Sequence, residues 1–175
     1  MIVRRFREED AQAVSDLVRA SLLISCGKDY PPEPLEAFAA TQTPAAMVRR
    51  GQTTRFYVAE EGGTPVGCAA VGRSTEVPGE SCVYSFYVLP ECQGRGIGRR
   101  LMEALEEDPD FRAARRVILH ASRTALGFYR KMGFGFEGGD DRPDADGLYR
   151  MEMLLPPGGP PSSQKTGTPP APADA

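Results

Sequence analysis

Three glycines at alternate positions, Gly94, Gly96 and Gly98, stand where an apolar run of strand-forming residues gives way to a helical pattern. Their missing side chains leave successive backbone N–H groups unshielded, and the opening of a helix adds the positive end of its dipole. What such a loop can do is hold an anion. Arg95, Arg99 and Arg100 supply guanidinium groups suited to bidentate contact with phosphate oxygens. A plain glycine turn between strand and helix is the alternative, and two better-known phosphate loops do not fit. A dinucleotide fingerprint wants a third glycine where Arg99 stands and an acidic residue after the next strand, near Leu119 and His120. A Walker loop needs Gly-Lys-Ser/Thr, which the segment lacks.

A second chemical group follows. Ala125, Phe128, Tyr129 and Met132 recur at helical spacing, and Gly133 stands where a left-handed helix cap is wanted. A phenol with a pKa near ~10 is protonated at neutral pH, so Tyr129 could donate a proton or simply fill the core. Metal chemistry is not expected. Cys26, Cys68, Cys82 and Cys92 form no close pair, and His120 is the single histidine.

These groups need a scaffold, and the periodicity alternates between two and about 3.6, as a mixed α/β domain requires. Ile2 to Arg7 reads as a first strand, and Glu8, Glu9 and Asp10 precede a helix striped by Val14, Leu17, Val18 and Leu22. Tyr30-Pro31-Pro32 breaks the pattern. Leu35 to Arg50 is then partly helical, interrupted at Pro44. Phe56 to Glu60 and Val66 to Val71 read as a hairpin across Gly62-Gly63. Cys82 to Leu89 should lie in the sheet centre, with Cys82, Tyr84, Phe86 and Val88 on one face and Val83, Ser85, Tyr87 and Leu89 on the other. After the glycine loop, Ile97, Leu101 and Leu105 mark a helix that leaves at Pro109, and Val117 to Leu119 is a buried strand. Gly135 to Glu137 and Leu148 to Leu155 close the sheet around a polar turn from Gly138 to Gly147.

The chain's 175 residues suit one domain over 1–155. From Pro156 to Ala175, seven prolines with Gly, Ser and Thr and no large apolar residue predict a disordered tail. A net charge of −3, with both signs interspersed, predicts no nucleic-acid or membrane partner. The first residues lack the apolar run of a signal peptide, so a cytoplasmic protein with reduced thiols is expected.

The stretch from Val88 through Pro90 and Gln93-Gly94-Arg95-Gly96-Ile97-Gly98 resembles the acetyl-CoA motif of the GNAT N-acetyltransferases, Q/R-x-x-G-x-G/A preceded by a strand and a V-x-P step. Ala121-Ser122 through Phe128-Tyr129 to Gly133-Phe134 is similar to that family's second signature. The resemblance covers roughly Ile2 to Leu155, and Leu22 to Phe38 is similar to a subgroup with an Asp-Tyr step before a proline-containing helix. It implies a mixed, mostly antiparallel sheet of about seven strands flanked by about four helices. A bulge near Val88 would splay the sheet around pantetheine. It also implies cofactor contacts at Phe86, Val88, Gln93, Gly94, Arg95, Gly96, Gly98, Arg99 and Ser122. Ser122 stands where many relatives carry Asn, and its hydroxyl could equally cap the following helix.

Acetyl transfer from acetyl-CoA needs a neutral amine, an oxyanion donor and a proton for the departing thiolate. By the resemblance Tyr129 supplies that proton, and the N–H of Val88 or Leu89 binds the oxyanion. An alkyl ammonium costs about 4.6 kcal/mol to deprotonate at pH 7, so a base or a water path is wanted. Cys82 aligns with the Glu that many relatives carry on the central strand, which leaves the base unassigned, with His120 and Glu80 as candidates and a structural role the alternative for His120. The expected activity is transfer to a primary amine, of a small molecule or a peptide, within a ternary complex. A homodimer is compatible with it. Two alternatives remain open: an acyl-CoA-binding module of the same fold without efficient turnover, and a nucleotide-binding regulator.

Overall fold

The structure is a computed structural model that describes residues 1–156. The expected Pro-rich tail lies almost wholly outside those residues. A seven-stranded sheet has the order β1-β2-β3-β4-β5-β7-β6. The strands are β1 Ile2–Arg5, β2 Arg55–Glu61, β3 Thr64–Arg73, β4 Glu80–Val88, β5 Arg116–Ala121, β6 Gly135–Phe136 and β7 Tyr149–Leu154. Every neighbouring pair is antiparallel except β4 and β5. That parallel pair requires a crossover. It is made by α4, Ile97–Glu107, and the single turn α5, Pro109–Arg112.

Six α-helices are present among the described residues, more than the four expected, because prolines begin helices as well as end them. The expected helical stretch at Leu35 to Arg50 is two helices, α2 at Pro32–Thr41 and α3 at Pro44–Thr53. Pro44 takes the first position of α3, and the Thr43 hydroxyl caps it by accepting from the Ala46 N–H at 3.2 Å. Pro109 likewise opens α5 behind the cap of Asp108. The first helix, α1 at Ala11–Ser21, runs on into a π-helical turn at Leu22–Cys26. The last, α6, covers Leu126–Lys131, and Gly133 follows it at φ +94 as a left-handed cap.

Two cores sandwich the sheet. On one face α4 buries Ile97, Leu101, Met102 and Leu105 against β3 and β5, joined by Tyr129 and Phe134. On the other, α1 and α3 bury Val14, Leu17, Val18 and Met47 against Phe56, Val58, Cys68 and Ala70. β3 is covered on both sides, which its small residues permit. A Cβ at Gly67 would lie 3.0 Å from Leu101 and 3.1 Å from Ile97, so the glycine sets how closely α4 sits on the sheet. Each buried leucine of α4 contributes about 1.5–3 kcal/mol by its removal from water.

The strict alternation expected along β4 fails at its centre. Ala70 pairs with Tyr84 but Cys68 pairs with Tyr87, so one extra residue is inserted in β4. Ser85, at φ +49, marks this bulge, three residues before the position expected at Val88. Side-chain parity flips across it. Val83 packs into the α4 core, and so do Phe86 and Val88, while Tyr87 turns to the α1 side.

Candidate active site

Beyond the bulge the sheet opens. Glu80, Ser81 and Cys82 pair with Arg116, Val117 and Ile118, and the β4 to β5 pairing stops there. The remaining residues of both strands diverge, leaving a split whose lips are Ser85 to Val88 and Leu119 to Ala121. At its closed end Glu80 is ion-paired with Arg116, which also faces Glu137 and Glu152. Glu80 is therefore a structural carboxylate before the split, which removes it as a candidate base.

The direction of the N–H groups in the split follows from the ladder. Leu89 N donates to Val66 O at 3.0 Å, so its N–H points to β3 and is occupied. Neighbouring residues on a strand point their polar groups oppositely. Val88 therefore aims its N–H and carbonyl away from β3, toward the split. Its carbonyl accepts from Ser21 Oγ at 3.0 Å and Gln93 Nε2 at 3.2 Å. Of the two expected oxyanion donors, the geometry leaves Val88.

The glycine loop ends at the first turn of α4. Gly94 and Gly96 have φ of +75 and +83, and a Cβ on either would meet nothing within 4 Å. Both glycines are thus required by conformation, and both present bare backbone to open space. Gly96 caps α4 without a side-chain partner, and the first helical bond there is Arg100 N to Gly96 O at 3.2 Å. The N–H groups of Gly96, Ile97, Gly98 and Arg99 have no acceptor among the described residues, a row of donors at a helix N-terminus. Gly98 has a different duty: a Cβ there would lie 3.1 Å from the Phe128 ring. Arg95 reaches sideways to Glu61 at 2.8 Å. Gln93 folds back onto Ser25 Oγ and the Val88 carbonyl. The row fits a diphosphate in donor type, charge and open approach.

Tyr129 sits in the wall of the split on the α4 side, with ring centroids 5.8 Å from Phe86, 5.2 Å from Phe128 and 5.9 Å from Phe134. It is only 5% exposed, yet its hydroxyl makes no hydrogen bond with the described residues. No fully buried side-chain polar atom there lacks a partner, so that oxygen keeps contact with solvent. Burial, with Tyr87 nearby, pushes the phenol above its usual range and holds it protonated.

A strap of residues 21–30, which contains the Asp29-Tyr30 step, crosses the split. Ser21 and Ser25 bind the Val88 and Gln93 lip. At the other lip the Thr124 hydroxyl donates to Asp29 at 2.5 Å, and Arg123 N donates to the Tyr30 hydroxyl at 3.1 Å. Tyr30 in turn donates to Gly147 O at 2.9 Å, tying in the loop before β7. Burial pushes the Cys26 thiol above its usual range, and nearby Ser122 offsets part of that rise. The Ser122 hydroxyl does not cap the following turn. Asp29 is thus a hydrogen-bonded group of the strap. His120, 47% exposed on its side chain, has Nδ1 3.5 Å from Asp144 Oδ2. The other oxygen of Asp144 accepts the N–H groups of Asp146 and Leu148, so the carboxylate is fixed by its own turn.

The profile of the family described as "Acetyltransferase (GNAT) domain" matches residues 26–155. The chain belongs to this GNAT acetyltransferase family. As a GNAT member it is an acetyl-CoA-dependent acyltransferase. It is 36% identical over 105 residues to an IAA acetyltransferase of Azospirillum brasilense, covering 57% of this chain and 68% of that protein. It is 41% identical over 97 residues to the N-alpha-acetyltransferase RimI of Mycobacterium tuberculosis, covering 52% and 60% respectively. The GNAT fold recurs in the PaiA N-acetyltransferase of Thermoplasma acidophilum, solved with coenzyme A. That structure gives a TM-score of 0.75 at 18% identity, over 88% of this chain and 98% of that one. A Gcn5-related N-acetyltransferase of Rhodopseudomonas palustris gives 0.73 at 26% identity, over 88% and 95%. No helix among the described residues is long and apolar enough to cross a membrane.

Sequence reasoning thus placed the glycine loop, Phe86, Val88 and Tyr129 around one split. The bonds of the strap, whose Ser and Tyr residues carry no spacing signal, and the placement of Asp144 beside His120 were not legible there.

Proposed function

We propose that the chain transfers the acetyl group of acetyl-CoA to a primary amine by direct attack in a ternary complex. The observation that carries this reading is the coincidence of three groups at one split: the free N–H row opening α4, the Val88 N–H aimed between the parted strands, and the Tyr129 hydroxyl. The diphosphate lies on Gly96 to Arg99, with Gln93, Gly94 and Arg95 shaping the approach. Pantetheine runs along Phe86 and Val88, and Ser122 with Cys26 lines the opposite lip. The amine attacks the thioester carbonyl, the Val88 N–H holds the oxyanion, and Tyr129 gives its proton to the departing thiolate. That proton transfer balances the charge that breaking the C–S bond leaves on sulfur.

His120 is the group best set to take the proton of the attacking amine. It shares a face of β5 with Ile118, beyond the last pairing with β4, and Asp144 faces its Nδ1. A cytoplasmic site of action suits the free cysteines.

The second reading, a module that binds acyl-CoA with little turnover, is favoured by one observation: Cys82 stands at the central-strand position expected for a base, and no carboxylate replaces it there. Thiol release from acetyl-CoA, measured across a panel of amines, separates the two. Acceptor-dependent release with a matching acetylated product is expected. Binding of CoA with no release on any amine would establish the module.

A further inference from the structure

On the face of the sheet opposite α4 lies a groove of about 750 Å³, floored by Cys82, Tyr84 and Ile118 and walled by α3 and the connection after β3. Cys82 and Ile118 are the last pair before the strands part, so the groove runs into the split from the side away from the glycine loop. An amine approaching the thioester from that side would trail the rest of its molecule along this channel.

The lining is unbalanced in charge. Five arginines and two glutamates face the groove in a chain whose net charge is −3. Three of the arginines are neutralised: Arg73 by Asp110, Arg116 by Glu80 and its neighbours, and Arg150 by Glu137. Arg49 and Arg50, adjacent near the end of α3, form no ion pair with the described residues. Arg50 is half-buried, and its side-chain contacts are neutral and long, Gln42 Oε1 at 3.4 Å and Met47 Sδ at 3.8 Å. A partly desolvated guanidinium without a counter-charge is costly to keep, and a carboxylate that pairs with it recovers that cost. Its position also fits the reaction. Arg50 is close enough to Tyr87 and Cys68 for its charge to offset part of their burial, and Tyr87 is the neighbour of Val88.

We propose that the acceptor is a primary amine bearing a carboxylate several bonds away, and that Arg49 and Arg50 hold that carboxylate in the groove while the amine reaches the split. The inference rests on the acetyltransferase reading and specifies its substrate class.

Matched probes test it: 6-aminohexanoate against 6-aminohexanamide, which has the same length without the charge. Acceptor-dependent thiol release should favour the acid by roughly tenfold in kcat/KM, the scale of one charge-assisted contact of about 1.4 kcal/mol. In Arg50→Gln, and separately in the exposed-site variant Arg49→Gln, the acid-to-amide ratio should fall toward one. Retained CoA affinity certifies that each variant folds. Equal use of acid and amide by the unaltered chain, or an undiminished ratio in both variants, would overturn the inference and leave the transferase standing. No release with either probe, beside release on other amines of the panel, would overturn the inference alone, and CoA binding with no release on any amine would bring down both.

Discussion

Tyr129 illustrates how position turns an ordinary side chain into a reagent. Three aromatic rings hold its ring, while its oxygen is left without a protein partner at the wall of the split. Tyr129→Phe keeps the packing and removes only the donor, so kcat should fall by roughly a hundredfold while the Kd for CoA stays within about twofold. An unchanged kcat would contradict the role. Burial raises this phenol above its ordinary pKa of ~10, and a phenol donates only below its pKa. The kcat profile should therefore show no falling limb between about pH 8 and 10 from loss of this proton. A limb in that window that disappears in Tyr129→Phe would show the oxygen to be better solvated than its surroundings imply. The tyrosine and the glycines were readable because their spacing is tied to backbone geometry. His120 with Asp144, and Arg95 with Glu61, were not, since 24 and 34 residues separate the partners and only the folded chain brings them together.

At the scale of elements, the boundaries that the sequence located well were those fixed by backbone chemistry: the Gly62-Gly63 turn, the cap at Gly133 and the helix start after the glycine loop. The one it misplaced was decided by tertiary pairing: the bulge belongs at Ser85, where no glycine announces the positive φ. Pro109 marks the exit of α4 as expected and also begins a single helical turn of its own. The entry to α1 depends on a similarly unannounced contact. Asp10, 5% exposed, accepts two bonds from Arg4 at 2.8 Å and one from Arg7 N at 2.8 Å, joining β1 to the helix. The Arg4 guanidinium, outweighing burial, holds this carboxyl below its usual range. Its stabilising effect is therefore complete above the unfolded pKa of ~3.9 and is lost as pH falls through the lower folded value. Asp10→Asn should cost about 2–3 kcal/mol at pH 7 by urea denaturation, and the gap from the unaltered chain should narrow below about pH 4. Equal urea midpoints at pH 7 would show that the pair contributes nothing net.

Across the whole molecule, one sheet performs two tasks that compete. Continuous pairing from β1 to β4 and from β5 to β6 gives the two cores their floor, and the parting of β4 from β5 gives the cosubstrate its slot. The strap at 21–30 compensates at the open end, where hydrogen bonds to both lips stand in for the missing ladder. That compromise could not be read along the chain, because each half of the strap bonds to a segment more than sixty residues away. The central claim is that the bare amides opening α4 grip a diphosphate and so set a thioester between the parted strands. A crystal structure of the chain with coenzyme A tests it most directly. Diphosphate oxygens should lie within hydrogen-bond distance of the N–H groups from Gly96 to Arg99, with the sulfur beside Val88 and the Tyr129 hydroxyl. A diphosphate bound elsewhere, or a sulfur outside the split, would contradict the account.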